Sequence, residues 1–186
     1  TGSSAQSMGQ SSISQTLTNT TSSVATATYT VTASFGTLPN VCSSTFTVTV
    51  TVNPKPSIPG QNINLCSGST FTFGPTNNPP LVIVPLNTTY EWIITNNINL
   101  AGPTASTSPQ SSINQIITNN SNSSQTVSYT ITPTSGDQGG CIGQSILYVI
   151  NVNPAPVFPT IYDTICSGTL FDSIPINNPP VSIVPA

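Results

Sequence analysis

Residues 45–56 read TFTVTVTVNPKP. From Phe46 to Val52 every second residue is apolar, and the residues between are threonines. Successive side chains of a strand point to opposite faces, so Phe46, Val48, Val50 and Val52 share one face and the threonines take the other. β-Branched residues favour this pleated, half-buried setting. The run then stops at Asn-Pro-Lys-Pro. Proline has no amide hydrogen to give to a sheet ladder, and it stiffens a linker. The stretch therefore predicts a half-buried strand that ends at a domain boundary.

The same words return further along. VNPKPSIP at 52–59 falls on VNPAPVFP at 152–159, and LCSGSTF at 65–71 falls on ICSGTLF at 165–171. PTNNPPLVIVP at 75–85 falls on PINNPPVSIVP at 175–185. Between 54–86 and 154–186, 15 of 33 aligned positions are identical. The other half of the period repeats too: SSISQTLTN (11–19) on SSINQIITN (111–119), and TATYTVT (26–32) on TVSYTIT (126–132). Self-similarity at a fixed long period means a tandem array. With boundaries at the Pro-rich linkers, residues 1–53 are the C-terminal part of one repeat, 54–153 a complete repeat, and 154–186 the N-terminal part of the next. The complete unit has the usual size of a domain. The chain opens on TGSSAQSMGQ rather than on Met, which fits an excerpt or a processed product.

The fold class follows from the pattern. No i, i+3, i+4 apolar stripe is sustained, and Pro and Gly interrupt every long segment, so nothing predicts a helix. Strands are expected at 56–64, 69–73, 88–95, 112–118, 125–132 and 145–152. The segment LVIV at 81–84 is either a short strand or a buried loop edge. In TYEWIIT, Tyr90 and Trp92 face one way, which predicts Trp92 in the core. About seven short strands with turns between them make an all-β, immunoglobulin-like sandwich of about 100 residues, repeated in tandem.

Charge narrows the function. The formal charges are Lys55, Glu91, Asp137, Asp163 and Asp172, and there is no His and no Arg. General acid–base or nucleophilic catalysis cannot be assembled locally from this set. The chain is therefore expected to be no enzyme and to use no cofactor. One lysine cannot track a phosphate backbone, so nucleic acid is not an expected partner. No apolar run is long enough to span a bilayer as a helix, so membrane insertion is not expected either.

Taken together, CSG, NNPP, IVP, TYEW, TYTVT, GC and TVTVTVNP resemble the PKD-like repeats of very large Bacteroidetes cell-surface proteins. Flavobacterial adhesins carry long arrays of such units, including those of gliding motility exported by type IX secretion. The resemblance covers essentially all 186 residues. One departure is plain: the original PKD domain follows its Trp with an acidic WDFGDG segment, whereas Trp92 is followed by IITNN. The resemblance implies an extracellular, cell-surface location. It also implies a structural stalk in an adhesin or surface filament, with neighbouring repeats of the same chain or filament as partners. Two other functions stay open: an array of carbohydrate-binding modules on surface polysaccharide, and a fibre subunit polymerising by strand complementation.

In that extracellular setting, two cysteines per repeat point to disulfides. Cys66 and Cys141 are the pair inside one complete repeat, and Cys42 and Cys166 then have partners outside these residues. The A–B and F–G turns of a Greek-key sandwich lie at opposite ends, about 33 Å apart for a ten-residue strand, while a disulfide spans Cα atoms only about 4.4–6.8 Å apart. A bond within the repeat, a bond between repeats and free thiols all remain open. CxxC-type metal spacing is absent, so no metal site is expected. Asp137 in TSGDQGG has no acidic neighbour to build a calcium loop and is expected to be a turn residue. Asp163-Thr164-Ile165 and Asp172-Ser173-Ile174 resemble the O-glycosylation signal of Bacteroidetes, which makes Thr164 and Ser173 candidate acceptors. Asn19, Asn87, Asn119 and Asn122 begin Asn-x-Ser/Thr triplets, which such a composition produces without meaning. Lys55 is replaced by Ala155 in the next repeat and is expected to be a solvated linker residue.

Overall fold

The computed structural model describes residues 1–186 apart from Ser7, Asp137, Gln138, Ser173, Pro175, Pro180 and Ala186. Strands form where the alternating pattern meets an available partner. They are β1 (Ala25–Thr37), β2 (Asn40–Val52), β3 (Gln61–Cys66), β4 (Ser69–Phe73), β5 (Thr89–Thr95), β6 (Leu100–Ala101), β7 (Ser106–Gln110), β8 (Ile113–Asn119), β9 (Gln125–Thr134) and β10 (Ile146–Asn153). No helix occurs among the described residues.

The chain divides into two compact units that do not coincide with the sequence period. One comprises Thr1–Ile58, Pro75–Thr88 and Thr134–Gly143. The other comprises Pro59–Gly74, Thr89–Pro133 and Gln144–Ala186.

The second unit holds an immunoglobulin-like sandwich. A five-stranded sheet in the order β3-β10-β9-β5-β7 faces a three-stranded sheet in the order β4-β8-β6. The chain therefore is all-β, as its alternation requires. β3 runs parallel to β10, from Gln61 opposite Tyr148 to Cys66 opposite Asn153. β9 and β10 are antiparallel, with Tyr129 opposite Tyr148. β4 lies antiparallel to β8.

Aromatic side chains join the two sheets. Phe71 lies 4.8 Å from Tyr129, and Phe73 meets Tyr90 and Tyr148 edge-on at 5.0 and 5.1 Å. Such tilted pairs contribute about 0.5–1.5 kcal/mol each beyond their buried area. Ile113, Ile117, Val127, Ile131, Ile150 and Val152 fill the space around them. Trp92 is buried as expected, and its Nε1 donates to Thr104 O at 2.7 Å.

Two expectations need revision, and the alternative left open at 81–84 is decided in favour of a loop edge. The first strand of the repeat begins at Gln61 rather than at residue 56, because Pro54, Pro56 and Pro59 cannot join a ladder. Segment 81–84 forms no strand. It makes single bridges, Ser57 with Ile83 and Asn78 with Val82, and buries Ile83. The apolar face of β2 is not buried throughout: Phe46 remains 53% exposed. β1 and β2 form a two-stranded antiparallel ribbon.

Phe71 is 2% exposed, and its counterpart Phe171 is 56% exposed. The described residues of 154–186 form no strand and make only the bridges Val157–Ile183 and Asn178–Ser182. The strands at 61–66 and 69–73 pair with β10 and β8, which come from later in their repeat.

Two outcomes follow. Ile117 is 0% exposed and Ile116 on the opposite face is 60% exposed. Ile117→Ala should cost about 2–5 kcal/mol, and Ile116→Ala less than about 0.5 kcal/mol. Urea unfolding followed by Trp92 fluorescence reads both. Burial pushes Tyr90 and Tyr129 up to about 12 from 10.0, with Tyr148 adding to the effect at Tyr90. The folded phenols hold their protons where unfolded ones lose them, so stability is intact below pH 10.0 and falls as pH rises towards 12. Thermal melts across that window should drop together with the rise of phenolate absorbance.

Candidate functional site

No cluster of three or more His, Cys, Asp or Glu that could hold a metal ion occurs among the described residues. What recurs instead is a set of uncharged side-chain clamps, each built twice. The first uses Asn119, at the end of β8. Its Nδ2 donates to Val152 O and to Ser123 O, both at 2.8 Å. Its Oδ1 accepts from Ser121 N at 2.9 Å and Ser121 Oγ at 2.7 Å. Every polar atom of the buried amide is used, as burial demands. Asn19 repeats the arrangement in the other unit: Nδ2 donates to Ser23 O at 2.7 Å and Val52 O at 2.9 Å, and Oδ1 accepts from Thr21 N and Oγ1. The clamp ties the end of β8 to the end of β10 through Asn119, and the loop before β1 to the end of β2 through Asn19.

A second pair works at the core edge. Tyr129 OH donates to Gln115 Oε1 at 2.7 Å, and Gln115 Nε2 donates to Thr104 O at 2.8 Å. Tyr29 OH donates to Gln15 Oε1 at 2.9 Å, and Gln15 Nε2 donates to Ser4 O at 2.7 Å. Sequence reasoning noticed Asn19 and Asn119 only as glycosylation triplets. The usable signal was their identity, and that of Gln15 and Gln115, at a spacing of 100 residues. Asn119 is buried with its amide fully engaged, which bars it as a glycan acceptor.

The third element is the junction, which lies within the first unit. Pro54, Pro56, Pro85 and Thr88 are buried there, and Lys55 is exposed, as a linker lysine should be. The NNPP loop is held by Asn77: its Oδ1 accepts from Val84 N at 2.8 Å, and its Nδ2 donates to Ser22 Oγ at 2.8 Å. Asn177 accepts from Val184 N in the same way at 3.0 Å. Ser135 and Cys141 close the loop before β10: Ser135 N donates to Cys141 O at 3.0 Å, and Cys141 N donates to Ser135 Oγ at 2.8 Å. Gly139 has φ of 93° and packs so closely on Asn53 that a Cβ there would overlap the Asn53 amide. Only glycine meets both demands. Ser22 and Asn53 belong to the first repeat in sequence, Asn77 and Gly139 to the second. The linker is thus flanked by direct contacts between repeats.

The cysteines are placed as follows. Cys42, Cys66, Cys141 and Cys166 are free thiols, and all but the partly buried Cys141 are exposed. Cys66 ends β3 opposite Asn153, the last residue of β10. Cys141 lies in the connection from β9 to β10, which reaches β10 at its other end, Ile146. Cys66 belongs to the second compact unit and Cys141 to the first. Thr164 is exposed, and its amide donates to Asp163 Oδ1 at 2.8 Å. Asp172 is exposed. Ser173 and Asp137 lie outside the described residues.

Residues 1–56 and 63–156 match the PKD-like domain family. The chain belongs to the PKD-like domain family. The two matched stretches end at Pro56 and Pro156, on the two Pro-x-Pro linkers. No match to a curated protein was found. PKD-like domains are typically non-catalytic structural domains and are commonly extracellular. Among the described residues no helix is long and apolar enough to cross a membrane.

The clamp yields a measurable expectation. Asn119→Ala leaves the Val152 and Ser123 carbonyls without their donor and should cost about 1–3 kcal/mol. Asn19→Ala should cost less, since Asn19 is only half-buried. Urea unfolding of the two variants compares them directly.

Proposed function

We propose that these PKD-like repeats form a structural stalk in a large extracellular adhesin or surface filament and perform no catalysis. The observation that carries this is the junction. A linker whose prolines are buried, flanked by the Asn77–Ser22 hydrogen bond and the Gly139–Asn53 contact, resists bending in a way that a solvated Gly/Ser tether does not. The uncharged surface adds little repulsion between neighbouring units. Resistance to proteolysis fits the role, because the repeated clamps use the polar groups of the turns. Export by type IX secretion and a part in gliding motility are the setting that the family resemblance offers for such a stalk.

A carbohydrate-binding array is less well supported. Its stacking platform would need exposed aromatic side chains on the sandwich sheets, whereas Tyr90, Trp92, Tyr129 and Tyr148 are buried there and the exposed Phe35 and Phe46 lie on the two-stranded ribbon of β1 and β2. Thr164, exposed beside Asp163, remains the candidate for O-linked sugar, with Ser173 as its counterpart in the second triplet.

Electron microscopy of the protein from its natural source tests the stalk. It should show thin rods with an advance of about 30–45 Å per repeat, the length of one sandwich along its strands. Compact globules, or beads on visibly loose tethers, would overturn the reading. The mass of Thr164 and Ser173 peptides from the same preparation should include sugar, and bare peptides at both would remove that part.

A further inference from the structure

The CSG turn and the GC loop of a repeat each lie beside an asparagine that closes a last strand: Ser67 beside Asn153 of its own repeat, and Gly139 beside Asn53 of the preceding one. In the second unit the CSG turn is held at the end where the chain leaves the repeat. Cys66 is opposite Asn153, Ser67 N donates to Asn153 O at 2.8 Å, and Asn119 N donates to Ser67 Oγ at 2.8 Å. Asn153 is followed at once by the Pro-x-Pro linker. The CSG turn therefore sits where the next repeat begins.

The first unit shows what the next repeat brings to that place. Asn53 is the counterpart of Asn153, and Asn19, the counterpart of Asn119, makes the same clamp beside it. Against Asn53 packs Gly139, two residues before Cys141 in the following repeat. Transferring the contacts of the second unit onto the first puts a CSG turn on Asn53 O, as Ser67 N is on Asn153 O. One asparagine is then the meeting point of two turns, each carrying a cysteine: the CSG turn of its own repeat and the GC loop of the next.

Resting on the stalk reading, the geometry points to a disulfide between repeats: the CSG cysteine of each repeat joins the GC cysteine of the repeat that follows. Cys141 takes the CSG cysteine of the preceding repeat, and Cys66 takes the GC cysteine of the following one. Cys42 and Cys166 take partners by the same rule. The chemistry is thiol–disulfide exchange with an oxidised dithiol carrier. One thiolate attacks the carrier's disulfide and releases a carrier thiol. The second thiolate then attacks the mixed disulfide. One S–S bond forms, the carrier is reduced to its dithiol, and two electrons pass to it. Cys66 is exposed at the end of β3, which suits the exchange. The staple would bridge each linker covalently, so that the linker does not bear tension alone.

Peptide mapping without reductant, on the protein from its natural source, tests this. Pepsin suits a chain with a single Lys/Arg residue. Peptides around Cys66 (NINLCSGST) and Cys166 (YDTICSGTL) differ in mass, so their partners can be assigned. Each GC peptide should be found joined to the CSG peptide of the preceding repeat. A Cys66–Cys141 bond, or thiols that alkylate without reductant, would overturn the proposal. The variant Cys141→Ser separates the cases again. Cys66 should stay protected from alkylation while the CSG cysteine of the preceding repeat becomes fully reactive; reactivity at Cys66 instead means a bond within the repeat. Rods seen by microscopy alongside a failed map would leave the stalk standing and the staple refuted.

Discussion

The parallel pairing of β3 with β10 is the contact on which the rest of the sandwich depends. It brings Gln61–Cys66, near the start of a repeat, alongside Tyr148–Asn153, at its end. A parallel pair needs a long crossover, and here the crossover is the body of the domain itself. β4 follows within three residues of β3 and carries Phe71 and Phe73 over the opposite sheet, against Tyr129, Tyr90 and Tyr148. Pairing over so long a stretch of chain must close a large loop before its contacts form, which slows folding.

With almost no charge to use, the chain ties its ends with amides and hydroxyls. Asn19 and Asn119, Gln15 and Gln115, and Asn77 and Asn177 each make the same bonds in their own repeat. These bonds do not depend on salt as surface ion pairs do, and their geometry is set by the backbone turns they bind. The consequence is a surface rich in threonine and serine and poor in charge. The buried prolines and the Gly139–Asn53 contact make the linker part of a packed structure.

Much was legible in the residues. Alternation at 125–132 and 145–152 announced strands whose inward residues, Val127, Tyr129, Ile131, Ile150 and Val152, are buried, and TYEWIIT announced a buried Trp92. The period of 100 residues announced a tandem array, because a strand pattern is local and a repeat is a comparison of a sequence with itself. The absence of His and Arg and the scarcity of carboxylates bounded the chemistry before any fold was known.

Burial and placement were decided only in three dimensions. The same alternation that buries Ile150 leaves Phe46 half in solvent, since periodicity says which residues share a face but not whether anything covers it. The start of β3 at Gln61 depended on which amides reach β10, and not on propensity at 56–60. The short strands β6 and β7 have no alternating pattern to announce them. The clamp role of Asn19 and Asn119 was hidden because a side-chain amide acts on carbonyls brought to it by folding: Val52 and Val152 lie 33 residues further along the chain. The cysteines show the division most plainly. Their number and spacing are properties of the sequence, whereas their partners depend on which ends of two strands lie side by side, and only the register of β3 on β10 settles where Cys66 stands.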